Sequence, residues 1–345
     1  MTVSDLSERE LIERIGARLP PAPAWLLVGI GDDAAVVEPE RNRLEVLTVD
    51  AIVEGIHFDR RFTPPAAIGH RALAVNLSDL AAMGAAPRLA LLSLALPADL
   101  LRDDFDALVS GLAALANRHK LHVVGGNLSR SPGPLMIDVT VMGTVKRRQP
   151  LTRRGARPGD VLYVTGSIGG AAAGLDMLRQ PANVAGVHPP PGGQGGLSCV
   201  KRYLYPEPRV HMGLMLARNR AASACMDLSD GLADGVLQIA DASGVGIVVD
   251  GDRLPIDPAA RAWFDARPAA GGDAVARAIT GGDDYELLFT VPPRGHGRLR
   301  AAGGRADVIL TQIGVCTGPR DVLLRRSLGA SSKDEPIPRG YKHFR

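Results

Sequence analysis

The chain has 345 residues, of which 46% are apolar, 22% charged and 4% aromatic, and a formal net charge of +3. At roughly 100–200 residues per domain this length points to two domains or one large one, and the apolar share excludes disorder as a description of the whole chain. The 40 glycines follow no strict period, which excludes a collagen-like chain, and the basic residues fall into short clusters rather than one face.

Those clusters are Lys146-Arg147-Arg148, Arg153-Arg154 and Arg325-Arg326. Nucleic-acid binding normally needs a concentrated basic face and stacking aromatics; the first is missing and the second are few. Cys199, Cys225 and Cys316 are far apart, so no disulfide framework or zinc knuckle is expected. The opening stretch MTVSDLSERELIERI is acidic and amphipathic and lacks the apolar core of a signal peptide. No apolar run approaches the ~20 residues of a membrane span. A cytoplasmic protein with no membrane partner is therefore expected.

In chain order, Ser7 and Glu10 form a capping box ahead of Leu11, Ile12 and Ile15 at helical spacing, predicting a helix that ends near Pro20-Pro21. A strand is expected over 44–49, ending in Asp50, then a helix of small side chains over 69–83, stopped by Gly84 and Pro87. A strand at 89–96, an amphipathic helix at 100–120 and a short strand at 121–124, ending in Gly125-Gly126, follow. His119 and His122 read as groups on the helix end. Residues 136–145 alternate as an edge or half-buried strand should.

The pattern breaks into Pro, Arg and Gly between Gln149 and Asp160, which places a boundary between domains 1–148 and 149–345. The second half reads as strand 161–164, a glycine turn, a helix from about Ala171, and a Pro/Gly insertion at 186–197 that reads as mobile. Helix 210–218, segment 225–228, helix 232–242 and strand 245–249 come next. A helical stretch near Trp263 and strands at 285–291 and 308–315 finish the domain. Strands and helices mix in both halves, so the class is α+β or α/β.

Chemistry is suggested by carboxylates beside glycine or at element ends: Asp32-Asp33, Asp50, Asp79, Asp227 with Asp230, and Asp283-Asp284. Aspartate favours such places for purely local reasons, so no single cluster is diagnostic. Several converging in one fold would make a strongly negative pocket that cations must fill, and Mg²⁺ suits carboxylate, water and phosphate oxygens. Gly29-Ile30-Gly31-Asp32-Asp33-Ala34 formally matches a dinucleotide fingerprint, but its two aspartates would repel a pyrophosphate. No P-loop, nucleophile elbow or zinc-protease motif occurs. The turn Gly166-Ser167-Ile168-Gly169-Gly170 fits either a phosphate cradle or close helix–sheet packing. Arg153 fits either a phosphate ligand or a solvated linker residue.

Taken in order, GIGDDAAV, TVDAIVEGIHF, ALAVNLSDLAAMGA, VVGGN, LTRRGARPGDVLYVTG, YPEPRV, MDLSDGLADG, GGDDYELLFTVP and the terminal GYKHF resemble the thiamine-monophosphate kinase family. This family belongs to the ATP-using, aminoimidazole ribonucleotide synthetase-like superfamily. The resemblance implies an N-terminal α+β domain whose mixed sheet pairs with its twin into a dimeric barrel, a C-terminal α/β domain, and an active site in the cleft between them. It implies Mg²⁺ ions held by Asp32, Thr48, Asp50, Asp79, Asn127, Asp227 and Asp230, with Asp50, Asp227 and Asp230 catalytic. ATP would be contacted by Gly126, Asn127, Arg153 and Ser229, and thiamine phosphate by His57, Asp283 and Tyr341.

The implied reaction gives ADP and thiamine diphosphate by direct in-line transfer. It needs charge neutralisation and alignment, and no covalent nucleophile. Three positions depart from the family pattern: Asn127 stands for the aspartate of GGDT, Val49 for a threonine, and Asp283 for the glutamate of GGEDYEL. They keep two alternatives open: a paralogue using another small phosphorylated acceptor, and a nucleotide-binding regulator without turnover.

Overall fold

Helix α1 (Glu8–Gly16) begins where the capping box predicts. Ser7 Oγ accepts the Glu10 N–H, and the Glu10 carboxylate accepts the Ser7 N–H at 2.7 Å, while Leu11 and Ile15 are buried. In this computed structural model the described residues are 1–180, 193–267, 272–306, 308–328 and 331–340. They fall into two units, Met1–Leu80 with Ala86–Arg147 and Ala81–Ala85 with Arg148–Arg345.

The first unit continues with β1 (Leu26–Val28), β2 (Val36–Val37), β3 (Arg43–Val53), α2 (Pro65–Ala82), β4 (Ala86–Pro97), α3 (Arg102–Arg118), β5 (His122–Ser131) and β6 (Met136–Lys146). Its main sheet runs β3-β6-β4-β5, antiparallel except for the β4/β5 pair. On one face Ile137, Val139 and Val141 of β6 join Leu92 and Leu94 of β4 in a core with Leu73, Leu77, Phe105, Leu108 and Leu112 from the two helices. The other face is open. Val49, Thr140 and Leu91 share one row across it, and Leu47, Val49, Leu91 and Met136 are 66, 56, 42 and 38% exposed.

Three expectations change here. Asp50 lies inside β3, which runs on to Val53. Gly125 and Gly126 lie inside β5, so they do not end it, and His122 opens that strand instead of closing a helix. Strand β6 is half-buried as its alternation predicts, but it is central, and the edges are β3 and β5.

The second unit holds β7 (Val161–Thr165), α4 (Gly170–Leu178), α5 (Gly193–Leu204), α6 (Val210–Asn219), β8 (Ala224–Asp227), α7 (Leu232–Ser243) and β9 (Gly246–Asp250). It continues with α8 (Pro258–Asp265), α9 (Ala274–Thr280), β10 (Leu287–Val291), α10 (His296–Gly303), β11 (Leu310–Thr317), β12 (Val322–Leu328) and β13 (Ser331–Pro336). Its sheet order is β13-β12-β9-β11-β7-β10-β8, with β9/β12 the one parallel pair. The unit is α/β in mixing helices with strands, but its sheet is mainly antiparallel. Of the 186–197 insertion, 186–192 lie outside the described residues and the rest opens α5. The three cysteines are free and buried.

Candidate active site

In the first unit, the turn around Gly31 (φ +112°) carries Asp32 and Asp33, both exposed, and Asp32 Oδ1 accepts the Asp33 N–H at 2.9 Å. The two aspartates line a pocket of about 470 Å³ together with Gly125, Gly126 and Asn127 of β5. A Cβ on Gly126 would fall 1.9 Å from the Leu92 carbonyl oxygen, so only glycine lets β5 lie this close to β4. Asn127 pairs with Ser93 and is exposed, offering an amide where a carboxylate would add a full negative charge.

Strand β3 sends Thr48, Asp50 and Ile52 to one face by its two-residue period. There the Thr48 hydroxyl makes a short hydrogen bond to Asp79 Oδ2 on α2. Asp50 is exposed two positions further along. His57, half-buried in the turn after β3, accepts the Val53 N–H on Nδ1 at 3.0 Å. In the neutral ring this assigns the proton to Nε2.

In the second unit, buried Asp227 ends β8, and the following loop is zipped to the GGDDYEL segment. The Asp283 N–H donates to Ser229 O at 2.7 Å, the Tyr285 N–H to Leu228 O at 2.9 Å, and the Leu228 N–H to Glu286 O at 2.8 Å. Asp283 (φ +70°) and Tyr285 (φ +50°) both adopt the left-handed region, a cost met only where surrounding bonds over-determine the backbone. Tyr285 Oη also donates to Asp283 Oδ1 at 3.2 Å. A Cβ on Gly340 would lie 2.9 Å from the Asp230 carbonyl oxygen, so the chain passes beside Asp230 as it approaches its end. Tyr341 itself lies outside the described residues.

Exposed Arg153 donates to Gln238 Oε1, and Gln238 in turn donates to Asp234. Ser243 Oγ accepts the Gly155 and Ala156 N–H groups at 3.1 Å, which pins this segment to α7. Ser229 is exposed on the loop after β8.

Sequence reading missed a buried ion network behind this loop. Glu286, fully buried, accepts Arg209 Nε and Nη2 and the Thr165 hydroxyl, each at 2.6 Å, and Arg202 Nη2 at 3.3 Å. Against the penalty of burial, this carboxylate holds the Arg209 guanidinium above its usual range. Asp284 accepts the Gly169 N–H at 2.6 Å and the Ala171 N–H at 3.2 Å, capping α4. Burial pushes the Asp284 carboxyl up to about 7, opposed by Arg202 and those two donors. The Gly166–Gly170 turn is therefore a packing element, since Asp284 occupies its Gly169 N–H and the adjoining Ala171 N–H, and a Cβ on Gly166 would meet Glu286 Oε1 at 2.1 Å. A usable signal was the lone acid Glu286 in the apolar run YELLF, because a buried charge needs a partner.

Among the described residues, no three His, Cys, Asp or Glu side chains form a ready metal cage. The first unit instead places oxygen donors on β3 and α2, and its acidic turn shares a pocket with β5.

Residues 31–145 match the family model for the AIR synthase related protein N-terminal domain, and 157–323 match that for its C-terminal domain. The chain is 39% identical to thiamine-monophosphate kinase of Salmonella typhimurium over 89% of both chains, and 33% identical to that of Bacillus subtilis over 92% of this chain and 94% of the relative. Thiamine-monophosphate kinase from Stenotrophomonas maltophilia K279a has a similar structure, with a TM-score of 0.79 at 39% identity over 92% of this chain and 96% of that one. The structure of AaThiL complexed with AMPPCP and TMP gives 0.73 at 32% identity over 100% and 99%. Escherichia coli HypE, a hydrogenase maturation protein, shares the fold at 20% identity, with a TM-score of 0.75 over 96% of this chain and 98% of that one.

Proposed function

The chain belongs to the thiamine-monophosphate kinase family of AIR synthase related proteins, and from that membership we propose that it moves the terminal phosphoryl group of ATP onto thiamine phosphate, with Mg²⁺ as its cation. The observation carrying the cation assignment is the donor set of the first unit: the Thr48 hydroxyl bonded to Asp79, Asp50 on the same face of β3, and Asp32 in the pocket with Asn127. These are all oxygen donors, and nitrogen and sulfur ligands are missing from the set. Mg²⁺ binds through one or two carboxylates and fills its octahedron with water and phosphate oxygens, so a site without a three-residue cage suits it. When bound, Mg²⁺ supplies neutralisation and alignment of the phosphate oxygens.

In this reading Asp32, Thr48, Asp50, Asp79 and Asn127 in one unit, and Asp227 and Asp230 in the other, hold cations, with Asp50, Asp227 and Asp230 catalytic. Gly126, Asn127, Arg153 and Ser229 contact the nucleotide. His57, with its donor on Nε2, Asp283 and Tyr341 hold thiamine phosphate. The attacking phosphate oxygen is already ionised at neutral pH, so transfer is direct and in line and uses neither a general base nor a covalent intermediate. The open apolar face bearing Leu47, Val49, Leu91 and Met136 supports a homodimer in which two sheets close a barrel. We assign the protein to the cytoplasm, and no described helix is long and apolar enough to cross a membrane.

The short Asp283 side chain, held at φ +70°, favours a second reading in which the acceptor is a different small phosphorylated molecule. Purified protein given ATP, MgCl₂ and thiamine phosphate separates the possibilities. Equal amounts of ADP and thiamine diphosphate support the proposal. ADP formed only with another phosphorylated acceptor supports the second reading, and tight ATP binding with no ADP from any acceptor would mean a regulator without turnover.

A further inference from the structure

A second polar pocket, of about 490 Å³, lies where β3, β4 and β5 begin and β6 ends. Arg43, on its wall, precedes Thr48 and Asp50 by five and seven positions on β3, about 17–23 Å at ~3.3 Å per residue. The pocket is therefore separate from Thr48 and Asp50, and it shares no lining residue with the pocket of Asp32 and Asn127.

Its wall has an aromatic and cationic build. The Arg88 guanidinium stacks 4.5 Å over the Trp25 ring, and His122 meets the same ring edge-on, with centroids 5.5 Å apart. Burial lowers the pKa of His122, so the imidazole is neutral near pH 7. Glu40 is already committed, to an ion pair with Arg43 and to the Thr144 hydroxyl at 2.6 Å. Arg88 Nη2 donates to the Glu38 carbonyl, but Arg88 Nη1 is buried and has no hydrogen-bond partner among the described residues. Exposed Arg41 and Lys120 complete the wall, Lys120 being fixed in the left-handed region (φ +55°) after α3. Arg41, Arg43, Arg88 and Lys120 against Glu38 and Glu40 make four positive and two negative charges, an excess of two.

A buried guanidinium N–H without an acceptor is costly, and the group that best satisfies it beside two further cations is an oxyanion. The planar guanidinium matches phosphate oxygens in particular. We propose that this pocket binds a small phosphate-bearing anion, with Arg88, Lys120 and Arg41 as its ligands and Trp25 as its floor.

Trp25 is one of two tryptophans, so it also reports on the site. Metal-free protein, in which the acidic site repels anions, is titrated with inorganic pyrophosphate and followed by tryptophan fluorescence and calorimetry, with sodium chloride at matched ionic strength as control. The expected result is saturable one-to-one binding, with the fluorescence change lost in Trp25→Phe. The Kd should rise at least tenfold in Arg88→Ala and at least threefold in Lys120→Ala. Because Arg88 is part-buried, Lys120→Ala and Arg41→Ala at exposed positions keep the test open should Arg88→Ala fail to fold. No saturable binding, equal affinity in the Lys120 and Arg41 variants, or a chloride response matching that of pyrophosphate would overturn the proposal.

Discussion

The two units carry acidic neighbourhoods of opposite construction. In the C-terminal unit, Glu286 and Asp284 are buried and answered from within, by Arg209, Arg202, Thr165 and the backbone N–H groups of Gly169 and Ala171. In the N-terminal unit, Asp32, Asp33 and Asp50 are exposed, and the Thr48 hydroxyl bonds to Asp79 on α2. The first arrangement fixes the shape of a loop whether or not a ligand is bound. The second sets its carboxylates at the surface, where the proposed cation and its phosphate would meet them. Damage to the two should therefore register differently, as lost folding in one unit and lost chemistry in the other.

The largest effect is expected from Arg209→Ala, which leaves Glu286 buried without its bidentate partner. Breaking a buried pair costs ~3–5 kcal/mol, readable as a lower denaturant midpoint. Asp50→Asn should leave that midpoint unchanged, since Asp50 is exposed, and lower kcat by about 10²-fold or more. A fall in stability with normal turnover would reverse the contrast.

Asp284→Asn tests the buried side through pH. The folded carboxyl titrates near 7 and the unfolded one near the ordinary aspartate value of 3.8, so the folded state holds the extra proton between them. Stability from this group is complete below the unfolded value and falls as pH rises towards 7, by at most about 1.4 kcal/mol per unit. The Asn variant should flatten that slope in denaturant titrations between pH 4 and 7; an unchanged slope would assign the dependence to other groups. The smallest effect is expected from Asn127→Asp, which restores a carboxylate beside Asp32 and should lower the Mg²⁺ concentration for half-maximal activity a few-fold.

Much of this was legible in the residues. The Ser7–Glu10 capping box, the small-residue helix carrying Asp79 and the apolar β4 follow from capping chemistry and periodicity. The strand ends at Asp50 and Gly126 were misread because Asp and Gly are local stop signals. There the ladder pairing of Asp50 with Val139 and a close backbone approach at Gly126 keep them inside strands. Strands β12 and β13 were missed because Arg325 and Arg326 read only as a short basic cluster. Ion pairs of Arg325 with Asp334 and of Arg326 with Glu335 hold these charges against the edge strand β13. The partners of Glu286 come from residues 165, 202 and 209, a separation that no local pattern encodes.

On the proposed function, Thr48 and Asp50 of β3 and Asp79 of α2 hold a divalent cation against a nucleotide. Mn²⁺, read by electron paramagnetic resonance, can replace Mg²⁺ in a titration of wild type, Asp50→Asn and Asp79→Asn in the presence of ATP. Wild type should deplete the free Mn²⁺ signal at substoichiometric metal, and each variant should weaken that depletion by at least tenfold while keeping its circular dichroism spectrum. Equal depletion by all three proteins would contradict the claim.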